Sequence, residues 1–349
     1  MAVELTSDVV SVTQLEAFAE SVLASTGLRQ DCAKTIATYL VDANLRGVDG
    51  HGALRLPQYV ASIRRGDINL DPDVQVIRQS GATALVDADG GYGFAPSRLA
   101  MQVAVSLADT WGVAAVGVTN SHHFGMATFY ALQAAADGFV GIAISNTMAV
   151  MPAPGGLKPV VGNDPIAIAV PRSGGAVICV DLALSEASWG KISLAAARGE
   201  PIPQGWALDS DGRETTVAAE ALAANLLVPI GGHKGYALAL MFELLAGALT
   251  GSPVGPGADG HSHRGGGCGH LLIALNPDRF GGRAAFLERV EELATAVSQS
   301  PRRTGQALRL PGERSARLRT QRLVSGIPVP KDIREKLNAL ADDLGVAKL

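Results

Sequence analysis

Apolar and polar positions along this chain follow two periods, one helical and one extended. Ser11-Val12-Thr13-Gln14 has the form of a capping box, so a helix should follow it and stop at Gly27. A second helix is expected over residues 31–46, with Ile36, Tyr39, Leu40 and Ala43 on its buried face and Gly47 as its C-terminal cap. Pro57 suits the first turn of a third helix, which runs to Arg65 and ends at Gly66. Short strands are expected at 74–77 and 84–86, then a helix over 95–111. Val113 to Val118 is apolar and β-branched and reads as a buried strand. A helix follows Gly125 to about residue 136, and a strand runs from Val140 to Ser145. Strands at 166–170 and 177–180 precede a helix reaching Arg198, for which Ser185 is the expected N-cap. The most apolar helix is expected over Tyr236 to Leu249, followed by a strand from Leu271 to Leu275. Helices over 283–298 and 330–344 close the chain, the latter with Ile333, Leu337, Leu340 and Leu344 on one face.

Composition narrows the class. The chain has 349 residues, 47% hydrophobic and 18% charged, enough for a large core and two or three domains. A net charge of −4 gives no support for nucleic-acid binding. The three cysteines, Cys32, Cys179 and Cys268, form no CxxC pair, which fits a reducing compartment and not a disulfide framework. The first ten residues lack a secretory pattern, and the apolar helix at 236–249 carries Glu243 and is too short to span a bilayer. A soluble, cytoplasmic protein with no membrane partner is expected.

Candidate chemistry concentrates in a few polar stretches. Gly47 to Tyr59 sets His51 and Arg55 four residues apart, with glycines beside the histidine and Tyr59 four residues further on. A histidine moves a proton near neutral pH, and an arginine holds a carboxylate with two parallel hydrogen bonds. The pattern points to a small organic acid, although a simple helix-to-helix turn also accounts for it. The strand at 113–118 runs into Thr119-Asn120-Ser121-His122-His123-Phe124-Gly125, where a helix start offers free N–H groups; both phosphate binding and proton transfer are open there. Gly231-Gly232-His233-Lys234-Gly235-Tyr236 opens the apolar helix and resembles an anion site, without Walker spacing. No GxGxxG follows the first strand. His261, His263, Cys268 and His270 in a glycine-rich stretch are metal-capable, but match no closed zinc pattern. The arginines at 314, 317, 319 and 322 form either a solvated face or a phosphate contact.

Taken in order, several stretches resemble the malate/L-lactate dehydrogenase family that lacks a Rossmann fold. They are Leu45-Arg46-Gly47-Val48-Asp49 with His51-Gly52 and Arg55-Leu56; Asn120-Ser121 with His123-Phe124-Gly125; Ile144-Ser145-Asn146-Thr147; Asp181 with Ala183 and Ser185; Gly190-Lys191; Gly205 to Asp209; Lys234-Gly235-Tyr236; and Leu310 to Glu313. The resemblance implies an α/β (α+β) protein with a non-Rossmann NAD(P)-binding domain on a mostly antiparallel sheet, at about 116–279. A helical and mixed companion domain would combine both chain ends, 1–115 and 280–349. It implies a homodimer, NAD or NADP as cofactor, and hydride transfer to or from a 2-oxo acid, a 2-hydroxy acid or a related imine.

By position, His51 resembles the family's pocket histidine, Arg55 its substrate-carboxylate ligand, and His123 the acid/base of its hydroxy-acid members. Tyr59 and Asn163 would face substrate, and Lys191 would lie near the reacting oxygen. Cofactor contacts are implied at Ser121, His123, Phe124, Gly125, Ser145, Asp181, Leu182, Ala183, His233, Lys234, Gly312 and Arg314. Three departures bear on substrate. Gly50 replaces the usual serine before the histidine, Asn163-Asp164 replaces Thr-Asn in Gly-Thr-Asn-Pro, and Lys191 stands where the cyclic imino-acid reductases are expected to carry aspartate. These favour a hydroxy- or oxo-acid substrate over a pyrroline- or piperideine-2-carboxylate. Other readings are a metal-dependent hydrolase built on residues 261–270 and a catalytically idle binding protein.

Overall fold

The computed structural model describes residues 7–258 and 267–349. It divides into two compact units, Met1–Pro72 with Glu292–Leu349, and Asp73–Glu291.

The first unit opens with helix α1, Val12–Ala24, where the Ser11 hydroxyl accepts the Gln14 N–H at 3.2 Å, as the capping box requires. Helices α2, Gln30–Leu45, and α3, Leu56–Arg65, follow, the latter with proline in its first turn and Gly66 in the left-handed region at its end. Leu15 and Val22 of α1 and Ile36, Leu40 and Val41 of α2 are buried.

The chain then enters the second unit, built on a seven-stranded sheet. In chain order its strands are β1 (Gln75–Ser80), β2 (Thr83–Asp87), β3 (Val113–Ser121), β4 (Val140–Ser145), β5 (Ile166–Pro171), β6 (Val177–Leu182) and β7 (Cys268–Leu275). The spatial order is β1-β2-β3-β7-β4-β5-β6. Every pairing is antiparallel except β2 with β3. This mostly antiparallel sheet matches the expected non-Rossmann class. Helices α4 (Phe94–Trp111) and α5 (Thr128–Ala136) connect the early strands and bury Phe94, Met101 and Tyr130. After β6 come α6 (Trp189–Arg198), a small three-stranded sheet and α7 (His233–Phe242), which share a second apolar core around Met151, Ile192 and Leu227. Helix α8, Arg283–Gln299, follows β7.

The first unit is completed by α9 (Glu313–Ser325) and α10 (Lys331–Leu344). Strands from the two chain ends, Ser7–Val10 and Ile327–Pro330, pair antiparallel. Arg319 of α9 meets Asp42 of α2 at 2.5 Å, and Arg322 donates to the Asn44 carbonyl. Two of the four arginines considered as a phosphate face therefore tie helices together.

Several boundaries differ from the sequence pattern. The units part at residues 72 and 291, not at 115 and 280, because β1, β2 and α4 belong to the sheet of the second unit. β3 extends beyond Val118, since Thr119 and Ser121 still pair with β2 and β7. The cap of α6 is Ser188, whereas the Ser185 hydroxyl bonds to the Ala187 carbonyl. The apolar helix gives way at Glu243 to a π-turn, Glu243–Gly247, which aims the Glu243 carboxyl group into the interior. No described helix is long and apolar enough to cross a membrane.

Candidate active site

In the first unit, Asn44 shapes the His51 stretch. Its amide donates to Asp49 at 2.7 Å, and its carbonyl accepts the Ala53 N–H at 2.8 Å. Any side chain at Gly52 would place Cβ 2.2 Å from the Asn44 oxygen, so only glycine permits this approach. The resulting pair of short turns presents His51, Arg55 and, from the first turns of α3, Tyr59. Arg55 donates from Nε to the Gly50 carbonyl at 2.7 Å and from Nη1 to Gln58 at 2.6 Å. Among the described residues Nη2 makes no hydrogen bond, so the outer end of the guanidinium retains donors for a carboxylate. Burial pushes the His51 imidazole down to about 4, and the Arg55 charge acts in the same direction. His51 is thus neutral at neutral pH. Tyr59 is fully buried, which raises its phenol above the ordinary value and keeps it a neutral donor. At the start of α9, Gly312 takes φ +85° and Arg314 is exposed.

In the second unit, β3 delivers the chain into the loop of residues 121–127. His123 is half-buried, and its Nδ1 accepts the Gly125 N–H at 3.3 Å. In the neutral ring Nε2 therefore carries the hydrogen and can donate to a substrate oxygen. Gly125 holds φ +80°, and a Cβ there would meet the Phe94 ring at 2.6 Å.

Behind the loop lies His270 of β7. Its Nε2 is 2.8 Å from the Ser121 hydroxyl and its Nδ1 is 2.8 Å from the Ser145 hydroxyl. Each hydroxyl also faces a carbonyl, Ser145 that of Asn146 at 2.8 Å and Ser121 that of His122 at 3.3 Å, so the neutral imidazole donates to one serine and accepts from the other. Phe124 stacks on the imidazole with centroids 4.3 Å apart. Burial pushes His270 down to about 3, keeping it neutral. The Ser121, Phe124 and Ser145 side chains, expected to touch cofactor, are buried partners of His270. They build the loop around His270.

At the start of α5, where phosphate binding and proton transfer were both open, an acid stands on the helix N-terminus. The Asp181 carboxylate accepts the Thr128 N–H at 3.1 Å and its hydroxyl at 2.6 Å. An acid on a helix N-terminus repels phosphate but suits a hydroxyl donor. Leu182 is exposed and Ala183 half-buried beside it. The start of α7 is open by contrast. His233 and Lys234 are exposed, and a Cβ on Gly231 or Gly232 would meet nothing within 4 Å. The first-turn N–H groups of this ten-residue helix and the Lys234 ammonium suit an anion.

Asn163 is engaged with Thr147, whose hydroxyl lies 3.1 Å from both its side-chain oxygen and its backbone nitrogen. Lys191 is exposed on α6, its ammonium 5.8 Å from the centroid of Trp206. Of the metal-capable residues, His261 and His263 lie outside the described residues. Burial pushes the Cys268 thiol up to about 12, and His270 is committed to the two serines. Among the described residues no three His, Cys, Asp or Glu converge as a metal site.

The family model for malate/L-lactate dehydrogenase matches residues 10–338. The chain belongs to this family. A malate dehydrogenase of Pyrococcus abyssi is 34% identical over 344 residues, covering 96% of this chain and 95% of that protein. A (2R)-3-sulfolactate dehydrogenase (NADP(+)) of Chromohalobacter salexigens is 37% identical over 338 residues, covering 96% and 98%. A ureidoglycolate dehydrogenase (NAD(+)) of Escherichia coli is 30% identical over 332 residues, covering 94% of each. The solved sulfolactate dehydrogenase of Methanocaldococcus jannaschii superposes with a TM-score of 0.86 at 34% identity, covering 97% of this chain and 98% of that one. A malate/L-lactate dehydrogenase-family chain of this kind is an NAD(P)-dependent oxidoreductase. The second unit fits such a cofactor in its donor set, with an acid suited to ribose hydroxyls at Asp181 and a cationic, open helix start at Lys234.

Asn44, His270, Asp164 and Glu243 shape these sites and were not singled out for such roles by the sequence. Asn44 lies in a helical apolar pattern, and His270 stood out only as a metal ligand. Their partners are brought to them by folding.

Proposed function

We propose that this enzyme transfers a hydride between NAD(P)H and a small 2-oxo or 2-hydroxy acid of the malate/lactate kind. The observation that carries the reading is the Gly47–Tyr59 turn, where an arginine with donors to spare stands four residues from a neutral histidine. Arg55 holds the substrate carboxylate through a charge-assisted fork with Tyr59 beside it, and Asn163 is a further substrate contact on the second unit. The nicotinamide supplies the hydride. During reduction a proton reaches the developing alkoxide from His123 or His51, and it returns during oxidation. In the present geometry His123 can offer a hydrogen bond from Nε2; giving up that proton in reduction needs the imidazolium, and accepting one there in oxidation needs the Nδ1–H form, so in both directions Nδ1 must first release the Gly125 N–H. Asp181 takes a ribose hydroxyl, with Leu182 and Ala183 alongside. Backbone at 121–125 and 145, the α7 start with His233 and Lys234, and Gly312 with Arg314 supply the remaining cofactor contacts. Lys191 stands by to stabilise negative charge on the reacting oxygen.

The test is binding of NADH and NADPH by fluorescence and thermal shift, then turnover on a panel of 2-oxo acids and cyclic imines. Turnover on an oxo acid with either cofactor is the expected result. Turnover on imines alone moves the protein to the reductase branch, and no binding of either cofactor sinks the assignment.

We further propose that the enzyme is a homodimer. Leu238, Met241, Leu245 and Leu249 are exposed at helical spacing along α7 and its continuation, a row that a second copy would cover. Light scattering should give twice the chain mass, and Met241→Glu should shift it toward the single chain. A monomeric mass for the unaltered protein refutes this.

A further inference from the structure

Beneath Asn163 two acidic side chains are buried together. Asp164 is fully buried after β4's neighbour loop, and Glu243 is buried on the π-turn. Glu243 collects N–H donors: Asn146 at 2.9 Å and Gly255 at 2.8 Å on Oε1, and Gly162 at 3.3 Å on Oε2. That is the environment of a carboxylate acceptor. Asp164 differs at its two oxygens. Oδ1 accepts the Thr147 N–H at 2.9 Å and its hydroxyl at 3.2 Å. Oδ2 is buried and receives no N–H or O–H, and the chain beside it is tied to Glu243 through Gly162, two residues earlier, whose N–H bonds to Glu243 Oε2.

Two ionised carboxylates buried on neighbouring stretches of chain, out of water and without a cation, repel strongly. Among the described residues no lysine, arginine or histidine bonds to either group. The other titratable side chain facing them is Cys268 of β7, itself held neutral by burial beside Asp164 and Glu243. A proton on Asp164 Oδ2 removes the conflict, because one charge is lost and the orphan acceptor becomes a donor. Burial and the Glu243 charge both push Asp164 well above the usual carboxylate range, which agrees with this assignment.

We propose that Asp164 is kept as a neutral carboxylic acid donating from Oδ2 to Glu243, and that this shared proton positions Thr147 and Asn163 for the substrate. Asp164 Oδ1 accepts the Thr147 N–H, the Thr147 oxygen accepts the Asn163 N–H, and the one Thr147 hydroxyl hydrogen faces both Asp164 Oδ1 and the Asn163 side-chain oxygen. Asp164 is thus a positioning residue whose ionisation loosens the end of β4. The positioning role rests on the proposed substrate reading; the proton does not.

Infrared difference spectra of the whole protein at pH 7, unaltered against Asp164→Asn, test the proton directly. The unaltered protein should show a protonated carboxyl C=O band that the variant lacks, and the band should titrate away at alkaline pH. No such band overturns the proposal, and the titration of the unaltered protein decides even where the variant folds poorly. Stability against pH is a second readout. A carboxyl raised in the folded state retains a proton that the unfolded chain releases, so stability falls as pH rises from the unfolded value towards the folded one. Asparagine donates without titrating. Asp164→Asn should therefore gain about tenfold in folding equilibrium constant per pH unit over that range, relative to the unaltered protein; parallel curves contradict the idea. In turnover, the alkaline decline of kcat/KM should move to higher pH in Asp164→Asn, and an unchanged profile removes the positioning role. The infrared and stability results do not depend on the substrate, so failure of the dehydrogenase reading is told apart from failure of this one.

Discussion

His123→Ala lowers kcat for reduction of a 2-oxo acid by about two to four orders of magnitude, the span of a positioned general acid–base. The side chain stands on the loop behind β3, where the Gly125 N–H engages Nδ1 and so places the hydrogen of the neutral ring on Nε2. Removing the ring removes the donor to the developing alkoxide but leaves the support of the loop in place. That support comes from Phe124 stacked on His270 and from the Tyr130 hydroxyl on the Phe124 carbonyl. Nicotinamide binding should therefore change little, and the loss should appear in kcat followed by absorbance. Near-normal turnover in the variant transfers the proton to His51. That residue is neutral at neutral pH, with its imidazole pushed down to about 4 by burial and by Arg55, which suits it as the base in the oxidation direction, so the variant is assayed both ways.

Arg55→Ala raises KM for the acid by about 10- to 100-fold, which corresponds to losing roughly 1.5–3 kcal/mol of charge-assisted hydrogen bonding. Arg55→Lys keeps the charge but loses the fork and should fall between the two. The Gly50 carbonyl and Gln58 hold the guanidinium in place before substrate arrives, so the parent enzyme orders little of this side chain on binding. The alanine variant carries a second signature. Removing the nearby positive charge raises the His51 imidazole, because that charge opposes protonation. Substrate titrations that give an unchanged KM for Arg55→Ala exclude the arginine from carboxylate binding.

Much of the site's inventory was legible because it is local. The Ser11 cap, Pro57 and Gly66 bounding α3, and the four-residue interval between His51 and Arg55 depend on neighbours within a turn or two. The misplaced features are those where a distant partner overrides local preference. Ser185 was a reasonable cap by type, yet Ser188 takes that role and the Ser185 hydroxyl turns to Ala187. At the start of α5, Asp181 from 53 residues away occupies the Thr128 N–H and hydroxyl, a partner no local pattern announces.

By itself the sequence determined the alternation of helices and strands, the family, and a turn that displays a histidine and an arginine together. These follow from backbone propensity, glycine's steric freedom and side-chain spacing, all of which act over short stretches of chain. Tertiary structure decided which polar groups would be buried and with whom. His270 bridges Ser121 and Ser145 across 149 and 125 residues of chain, and Glu243 reaches Asn146 across 97. A buried polar group must find a partner, and that partner is fixed by the order of strands in the sheet, not by proximity in sequence.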